Sequence, residues 1–165
     1  MATGAQVSDE LASVPEGFEQ LGEGLGYSDS LQPFYRRVDG DDVSFGLVVL
    51  EQHANLMGIC HGGCLMTLAD IAAATSINIR LPKPAGLPTI NLGFDFVSPG
   101  RFGHWLQTRT HLVEVKRRFG FCAGVIEDGD KPVLRYSGTF YLPDHDGMWK
   151  GGDGDAALRR LAGGE

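Results

Sequence analysis

The rhythm of apolar and polar positions divides this chain into elements. Val43 to Leu50 (VSFGLVVL) is a β-branched, apolar run of strand type. From Gly63 to about Ile79 the period lengthens: Leu65, Leu68, Ala69 and Ala72 follow an i, i+3, i+4, i+7 stripe, and Pro82 and Pro84 forbid continuation. That stripe predicts a helix whose small-sided face can lie close against a sheet. Ile90, Leu92, Phe94 and Phe96 then alternate with Thr89, Asn91, Gly93 and Asp95, the period of two of a strand with one face on a core, before Ser98-Pro99-Gly100 turns the chain. His104 to Val115, Phe119 to Asp128 and Lys131 to Leu142 read as further strands, the last two joined as a hairpin at Asp128-Gly129-Asp130. With Phe34 to Val38 added, about six strands and one long helix are expected, and an antiparallel sheet wrapped around a central helix, an α+β fold, is the economical arrangement.

The most informative stretch lies where one strand hands over to the helix. Asn55 to Asp70 reads NLMGICHGGCLMTLAD. Gly58, Gly62 and Gly63 interrupt the strand and permit a tight turn. The unpaired N–H groups near Gly62 and Gly63 point at open space, with no side chain to keep a carbonyl oxygen away. Together with the positive end of the helix dipole they would stabilise an oxyanion, a feature of acyl transfer.

Asp70 follows His61 by nine residues, roughly half a turn round the helix and about 13 Å along it. One helix cannot aim both at one carbonyl, so a catalytic reading predicts a homodimer with sites shared between subunits. Plain alternatives exist for each residue: a glycine pair as a turn, a helical aspartate as a solvated group, Asn55 as a turn residue. The apolar neighbours of Asp70 (Leu68, Ala69, Ile71 and Ala72) argue against simple solvation. Cys60, His61 and Cys64 lack the second ligand pair that a zinc site needs, and Cys122 stands alone, so no metal is expected. Cys60 as a nucleophile would need a base, and the adjacent His61 is poorly placed to be one.

These residues resemble the hotdog-fold acyl-CoA thioesterases of the phenylacetate-pathway group. The family pattern is Asn, two residues, Gly, two residues, His-Gly-Gly, and an Asp nine positions beyond the His; Asn55, Gly58, His61, Gly62, Gly63 and Asp70 fill every place. The resemblance runs from about Phe34 to Leu142. It implies thioester hydrolysis with no metal and no bound organic cofactor. The Gly62 amide would polarise the carbonyl, Asp70 of the partner subunit would be general base or nucleophile, and Asn55 would help place the water or the carbonyl. His61 and Gly63 would shape the binding turn, and Thr89 matches a Ser or Thr that reaches the site in the family.

Lys116, Arg117 and Arg118 form the densest basic cluster, at an expected turn, where Arg117 and Arg118 could hold coenzyme A phosphates. The chain departs from its relatives there, since Gly120 precedes Phe121 rather than a basic residue, and again at Asn91, where many carry an acidic side chain. Met57, Leu65, Met66, Phe94 and Phe96 are the candidates to touch the acyl group. Dimers of this kind often pair into tetramers. Two other functions fit the scaffold: a non-catalytic acyl-CoA binder or sensor, which the intact Asn55, Gly62 and Asp70 set opposes, and a hydratase or dehydratase using Asp70 with His61.

Composition narrows the partners and the compartment. At 165 residues and 42% hydrophobic the chain can bury one core, and no repeat or linker divides it. A central domain over 31–143 is expected, flanked by a Gly-, Ser- and acid-rich extension over 1–30 and a tail over 144–165. Both ends are expected to fray or fold over the dimer, with a short helix possible from Glu16 to Leu21. Net charge of −7 opposes nucleic acid as the main partner. With no leader-like or membrane-length apolar segment and three cysteines, a soluble cytoplasmic protein with reduced thiols is expected.

Overall fold

Three long strands joined by tight turns make the middle of a single antiparallel sheet: β5 (Trp105–Val115), β6 (Phe119–Asp128) and β7 (Lys131–Tyr141). The β6–β7 hairpin closes where Gly129 takes a φ of 60°, a conformation glycine adopts without a Cβ penalty. The computed structural model describes residues 11–144 and 154–163. Four more strands complete the sheet: β1 (Glu19–Gln20), β2 (Tyr35–Asp39), β3 (Asp42–Val48) and β4 (Thr89–Phe96). Their order is β1-β2-β3-β5-β6-β7-β4, so β4 is an edge.

Helix α1 (Gly62–Asn78) packs across the sheet, against β3, β5, β6, β7 and β4. Its Leu65, Leu68, Ala69, Ala72 and Ala73 are buried against Phe45, Leu47, Leu106, Ile126, Leu134 and Phe140. Small residues on both sides set the separation. A Cβ built at Gly120 of β6 would sit 2.6 Å from the Ile77 Cγ2, so only glycine seats the helix end there.

Three expectations from the sequence need correction. Glu16 to Leu21 is not helical: Gly17 turns the chain at a φ of 83°, and Glu19 and Gln20 pair with Arg36 and Tyr35 as β1, while Phe18 packs edge-on against Trp105. In the tail, Gly154–Ala162 forms a second helix, α2, that contacts α1 and lays Leu161 against the core, which a Gly- and Asp-rich composition concealed. The residues of the extension and tail numbered 1–10, 145–153 and 164–165 lie outside those described. In β4 the alternation fails at one place. Thr89 pairs with Phe140 but Asn91 pairs with Thr139, so Ile90 is an extra residue and Thr89 falls on the helix side with Leu92 and Phe94.

The segment entering α1 is held by a buried histidine. His53 Nε2 donates to the Leu31 carbonyl at 2.8 Å, and its Nδ1 accepts from the Leu50 N–H at 3.1 Å, an assignment of the proton from partners. Its own carbonyl accepts from the His61 N–H at 2.7 Å, fixing where α1 begins. Burial holds the imidazole below its ordinary pKa of 6.5, against the raising effect of the Leu31 and Val48 carbonyls. The unfolded chain therefore binds the proton more readily, and the stability present above pH 6.5 is lost as pH falls through the folded value. Thermal midpoints measured from pH 7.5 down to pH 5 should fall in the wild type and fall less in His53→Asn; parallel curves would remove His53 as the cause.

Candidate active site

The loop from Asn55 to His61 is built by its own polar groups. Asn55 Oδ1 accepts from the Met57 N–H at 2.9 Å and the Ile59 N–H at 3.4 Å, and the backbone of Asn55 exchanges bonds with Ile59 and Gly58. Gly58 takes a φ of 71°, which completes the turn. The side-chain oxygen of Asn55 is thus spent on the loop, and its amide Nδ2 remains the group available to a ligand. Asn55→Ala should lower turnover about tenfold, through the loop it shapes. Unchanged kinetics would show that neither the Asx turn nor the Nδ2 matters.

His61 is the N-cap of α1. Its Nδ1 accepts from the Gly63 N–H at 2.9 Å, and its carbonyl accepts from the Cys64 N–H at 2.9 Å and the Leu65 N–H at 3.2 Å. The Leu65 bond is the first regular helical one; of the four donors that precede it, His61 (on the His53 carbonyl), Gly63 and Cys64 are occupied, and the remaining one, the Gly62 N–H, has no acceptor among the described residues. His61 fills its place in the pattern as the cap that leaves the Gly62 amide free.

Gly62 opens into an apolar groove of about 480 Å³ lined by Asn55, Met57, Ile59, Cys60, Leu65, Phe96, Val97 and Pro99 among others. Phe96 stands beside it: a Cβ on Gly62 would lie 3.1 Å from the Phe96 ring. Of the acyl-contact candidates, Met57, Leu65 and Phe96 line this groove; Met66 and Phe94 do not.

Asp70 sits two turns further along α1, half-buried, with its Oδ1 accepting from the Thr89 Oγ1 at 2.8 Å. Burial pushes its carboxyl above the ordinary 3.8, and the Thr89 hydroxyl opposes that shift. The bulge at Ile90 makes this bond, because unbroken alternation would have aimed Thr89 at the outer face. Strand β4 runs antiparallel to α1, so Phe96 lies by Gly62 and Thr89 by Asp70. Within one chain Asp70 and the Gly62 amide stay about 12 Å apart along the helix axis.

Arg117 and Arg118 are exposed at the β5–β6 turn and make no ion pair among the described residues, while Lys116 is bound to Glu114 at 2.9 Å. The row Thr89, Phe140, Gly120 brings that turn to the Asp70 end of the sheet, where the Leu142 N–H donates to the Arg118 carbonyl and the Tyr141 N–H to that of Pro88. Asn91 faces outward, away from the carboxylate. Among the described residues, no three His, Cys, Asp or Glu side chains converge as metal ligands, and no helix is long and apolar enough to cross a membrane.

Comparison with known proteins adds relatives to this geometry. The profile of the Thioesterase superfamily matches residues 57–134. A Pseudomonas aeruginosa protein named "Putative esterase PA0474" is 33% identical over 134 residues, covering 81% of this chain and 100% of the relative. Among solved structures, zebrafish thioesterase superfamily member 2 superposes with a TM-score of 0.67 at 18% identity, over 73% of this chain and 89% of its own. A mutant of the phenylacetic acid degradation protein PaaI from Thermus thermophilus reaches 0.62 at 23% identity, over 71% and 98%. The BH2602 protein from Bacillus halodurans, solved with CoA, reaches 0.60 at 23%, over 67% and 74%. The sheet and its central helix are therefore the hotdog fold of these thioesterases.

Proposed function

Because the chain belongs to the thioesterase superfamily, an enzyme family of thioester hydrolases, we propose that it hydrolyses acyl-CoA to a free carboxylic acid and coenzyme A at two sites shared across a homodimer. The observation that carries this reading is the unpartnered Gly62 N–H at the α1 N-terminus, open to an apolar groove. A thioester carbonyl lodged there accepts from that amide, and the helix dipole favours the negative charge that grows on its oxygen.

The second group comes from the neighbouring chain. Strand β4 is an eight-residue edge with Ile90 and Phe96 exposed, Val97 is exposed just past its end, and the exposed Met57 lines the same groove as Phe96. Two such edges paired about a two-fold axis run antiparallel, which sets the Thr89 end of one against the Phe96 end of the other. The partner subunit's Asp70 then faces Gly62. As general base it takes a proton from water, the hydroxide adds to the carbonyl carbon, and the tetrahedral intermediate expels the coenzyme A thiolate; as nucleophile it forms an anhydride that water cleaves. The Thr89 hydroxyl orients the carboxylate, and Asn55 Nδ2 can hold the water or carbonyl.

Arg117 and Arg118 stand at the Asp70 end and suit the phosphates of coenzyme A. The CoA in the B. halodurans structure supports that substrate class. A hydratase working through His61 is disfavoured because the Nδ1 of that ring is occupied as a helix cap. Exposed Leu112, Phe119 and Phe121 support a further pairing of dimers.

The test is subunit complementation. Asp70→Asn and Gly62→Pro homodimers should each be nearly inactive in thiol release from a panel of short, medium, long and aromatic acyl-CoAs. Random exchange between them rebuilds one intact site in each mixed dimer and should return about a quarter of wild-type activity. No recovery, with exchange shown by mass spectrometry, would refute shared sites. Wild-type binding of acyl-CoA without turnover would make the protein a sensor.

A further inference from the structure

One apolar side chain on the outer line of α1 has no part in the chemistry above. Met66 is 40% exposed, while the other residues of the helix, from Gly62 to Asn78, are buried or half-buried, and it does not line the groove at Gly62. Gly62 comes four residues before it and Asp70 four residues after it, so Met66 is turned about 40° from each and stands about 6 Å from each along the helix axis. The amide, the thioether and the carboxylate form one shallow stripe with the thioether at its centre. We infer that the two-fold axis of the homodimer passes at Met66, so that each copy sets this side chain against the partner subunit's Met66 and the pair divides one site from the other.

This placement rests on the shared-site reading proposed above, in which one chain is incomplete without its copy. When the Gly62 amide of one copy and the partner subunit's Asp70 address one carbonyl, the two-fold makes the reverse pairing equal, and the two helices pass antiparallel. On such a helix the point level with its own symmetry mate is the one equidistant from the two groups, which is Met66. An axis nearer the start of α1 would bring two Gly62 turns together, and one nearer Asp70 would face two carboxylates; either leaves each site with half of its chemistry, and the second sets like charges against each other. Asp70 is the sole charged residue in the sequence of α1, so no other charge on the helix opposes the approach of a second copy. Methionine suits contact with itself, because its flexible, unbranched side chain fills the irregular gap between two identical surfaces.

Strand β4 puts the axis at the same level. Thr89 bonds to Asp70 at one end and Phe96 stands by Gly62 at the other, so the middle of the strand, Leu92 and Gly93, lies level with Met66. That middle also offers the backbone groups that a second strand needs. The Val97 N–H donates to the Val133 carbonyl of β7 at 2.9 Å, and the alternation of an antiparallel ladder then turns the N–H and C=O groups of Phe96, Phe94 and Leu92 away from β7, toward the free edge. Pairing of two copies about Leu92 and Gly93 joins the sheets and leaves the two Met66 side chains beside the axis.

The experiment puts a thiol on the axis. Met66→Cys, oxidised with copper phenanthroline, should run on a denaturing gel as a covalent dimer that dithiothreitol splits. The wild type, whose three cysteines are buried, should give no such band, nor should Tyr27→Cys, a 73% exposed position on another element. Met66→Glu and Met66→Lys should each weaken the dimer about a hundredfold in sedimentation, because two like charges meet, and an equimolar mixture of the two should pair again. No covalent dimer from Met66→Cys, or Glu and Lys variants that dimerise as well alone as together, overturns the inference. The shared-site reading fails separately: a link that forms while mixed Asp70→Asn and Gly62→Pro dimers stay inactive sinks that reading and keeps the contact, whereas recovered activity without a link sinks the contact alone.

Discussion

Asp70→Asn is expected to abolish most turnover and to raise the melting temperature at neutral pH. Loss of a general base or nucleophile costs about a hundredfold or more, and the asparagine Oδ1 can still accept from Thr89, so the local geometry survives. The stability effect follows from the same burial. A folded pKa above 3.8 means that the folded chain binds the Asp70 proton more readily than the unfolded chain. That preference stabilises fully below pH 3.8 and is lost as pH rises through the folded value, leaving the carboxylate a net cost at pH 7. A neutral isostere removes the cost, and each kcal/mol recovered should add roughly 2–4 °C to Tm. Turnover of the wild type should correspondingly rise with pH as Asp70 ionises. Asp70→Ala should show the same kinetic loss with less thermal gain, since Thr89 loses its acceptor. An Asp70→Asn protein that melts lower than wild type, or retains more than a tenth of its turnover, would contradict both arguments.

The second large effect is expected at Gly62, where one substitution removes the donor and keeps the helix. Proline is favoured at the first helical position, and the preceding residue must be extended; His61 has φ −62° and ψ 134°, and Gly62 is not at positive φ. Gly62→Pro therefore deletes that N–H with little cost to α1. Deleting an oxyanion donor costs on the order of 10²–10³ in kcat. Gly62→Ala is the control: it retains the N–H, and its Cβ has only to displace the half-exposed Phe96 ring by a few tenths of an ångström. Circular dichroism should report intact helix in both, with kcat collapsing in the proline variant alone. Equal losses would mean that crowding at Phe96, rather than the amide, controls the rate.

The legibility of this chain followed the range of the interactions involved. Strands β3 to β7 and helix α1 were readable because each is long enough for its period to show, and the helix start was readable because Gly62 and Gly63 mark it chemically. β1 is two residues long and owes its existence to β2 and to Phe18 packing on Trp105, neither of which has a local signature. Helix α2 is short, with glycine and aspartate at its start, and its docking on α1 is a tertiary contact. At the candidate site, the nine-residue spacing of His61 and Asp70 already showed that one helix cannot aim both at one carbonyl, which is the ground on which shared sites are proposed. The role of His61 was half-legible: a turn residue was expected, but that its Nδ1 caps Gly63 and frees Gly62 depends on a rotamer. Thr89 matched the family pattern while its alternation pointed the wrong way, and only the register shift at Ile90 reconciles the two.

The close seating of α1 carries one more implication. Gly120 against Ile77, and Ala69, Ala72 and Ala73 buried in the core, pack the helix closely onto the sheet at these positions. Under the proposed reading, an acyl tail lies instead along the apolar groove beside Gly62 and Phe96, at the β4 edge where the second copy is proposed to meet it. Preference for tail length is then a quaternary property: it is ruled by how two copies meet, and altering it would require redesigning a contact rather than hollowing out a core.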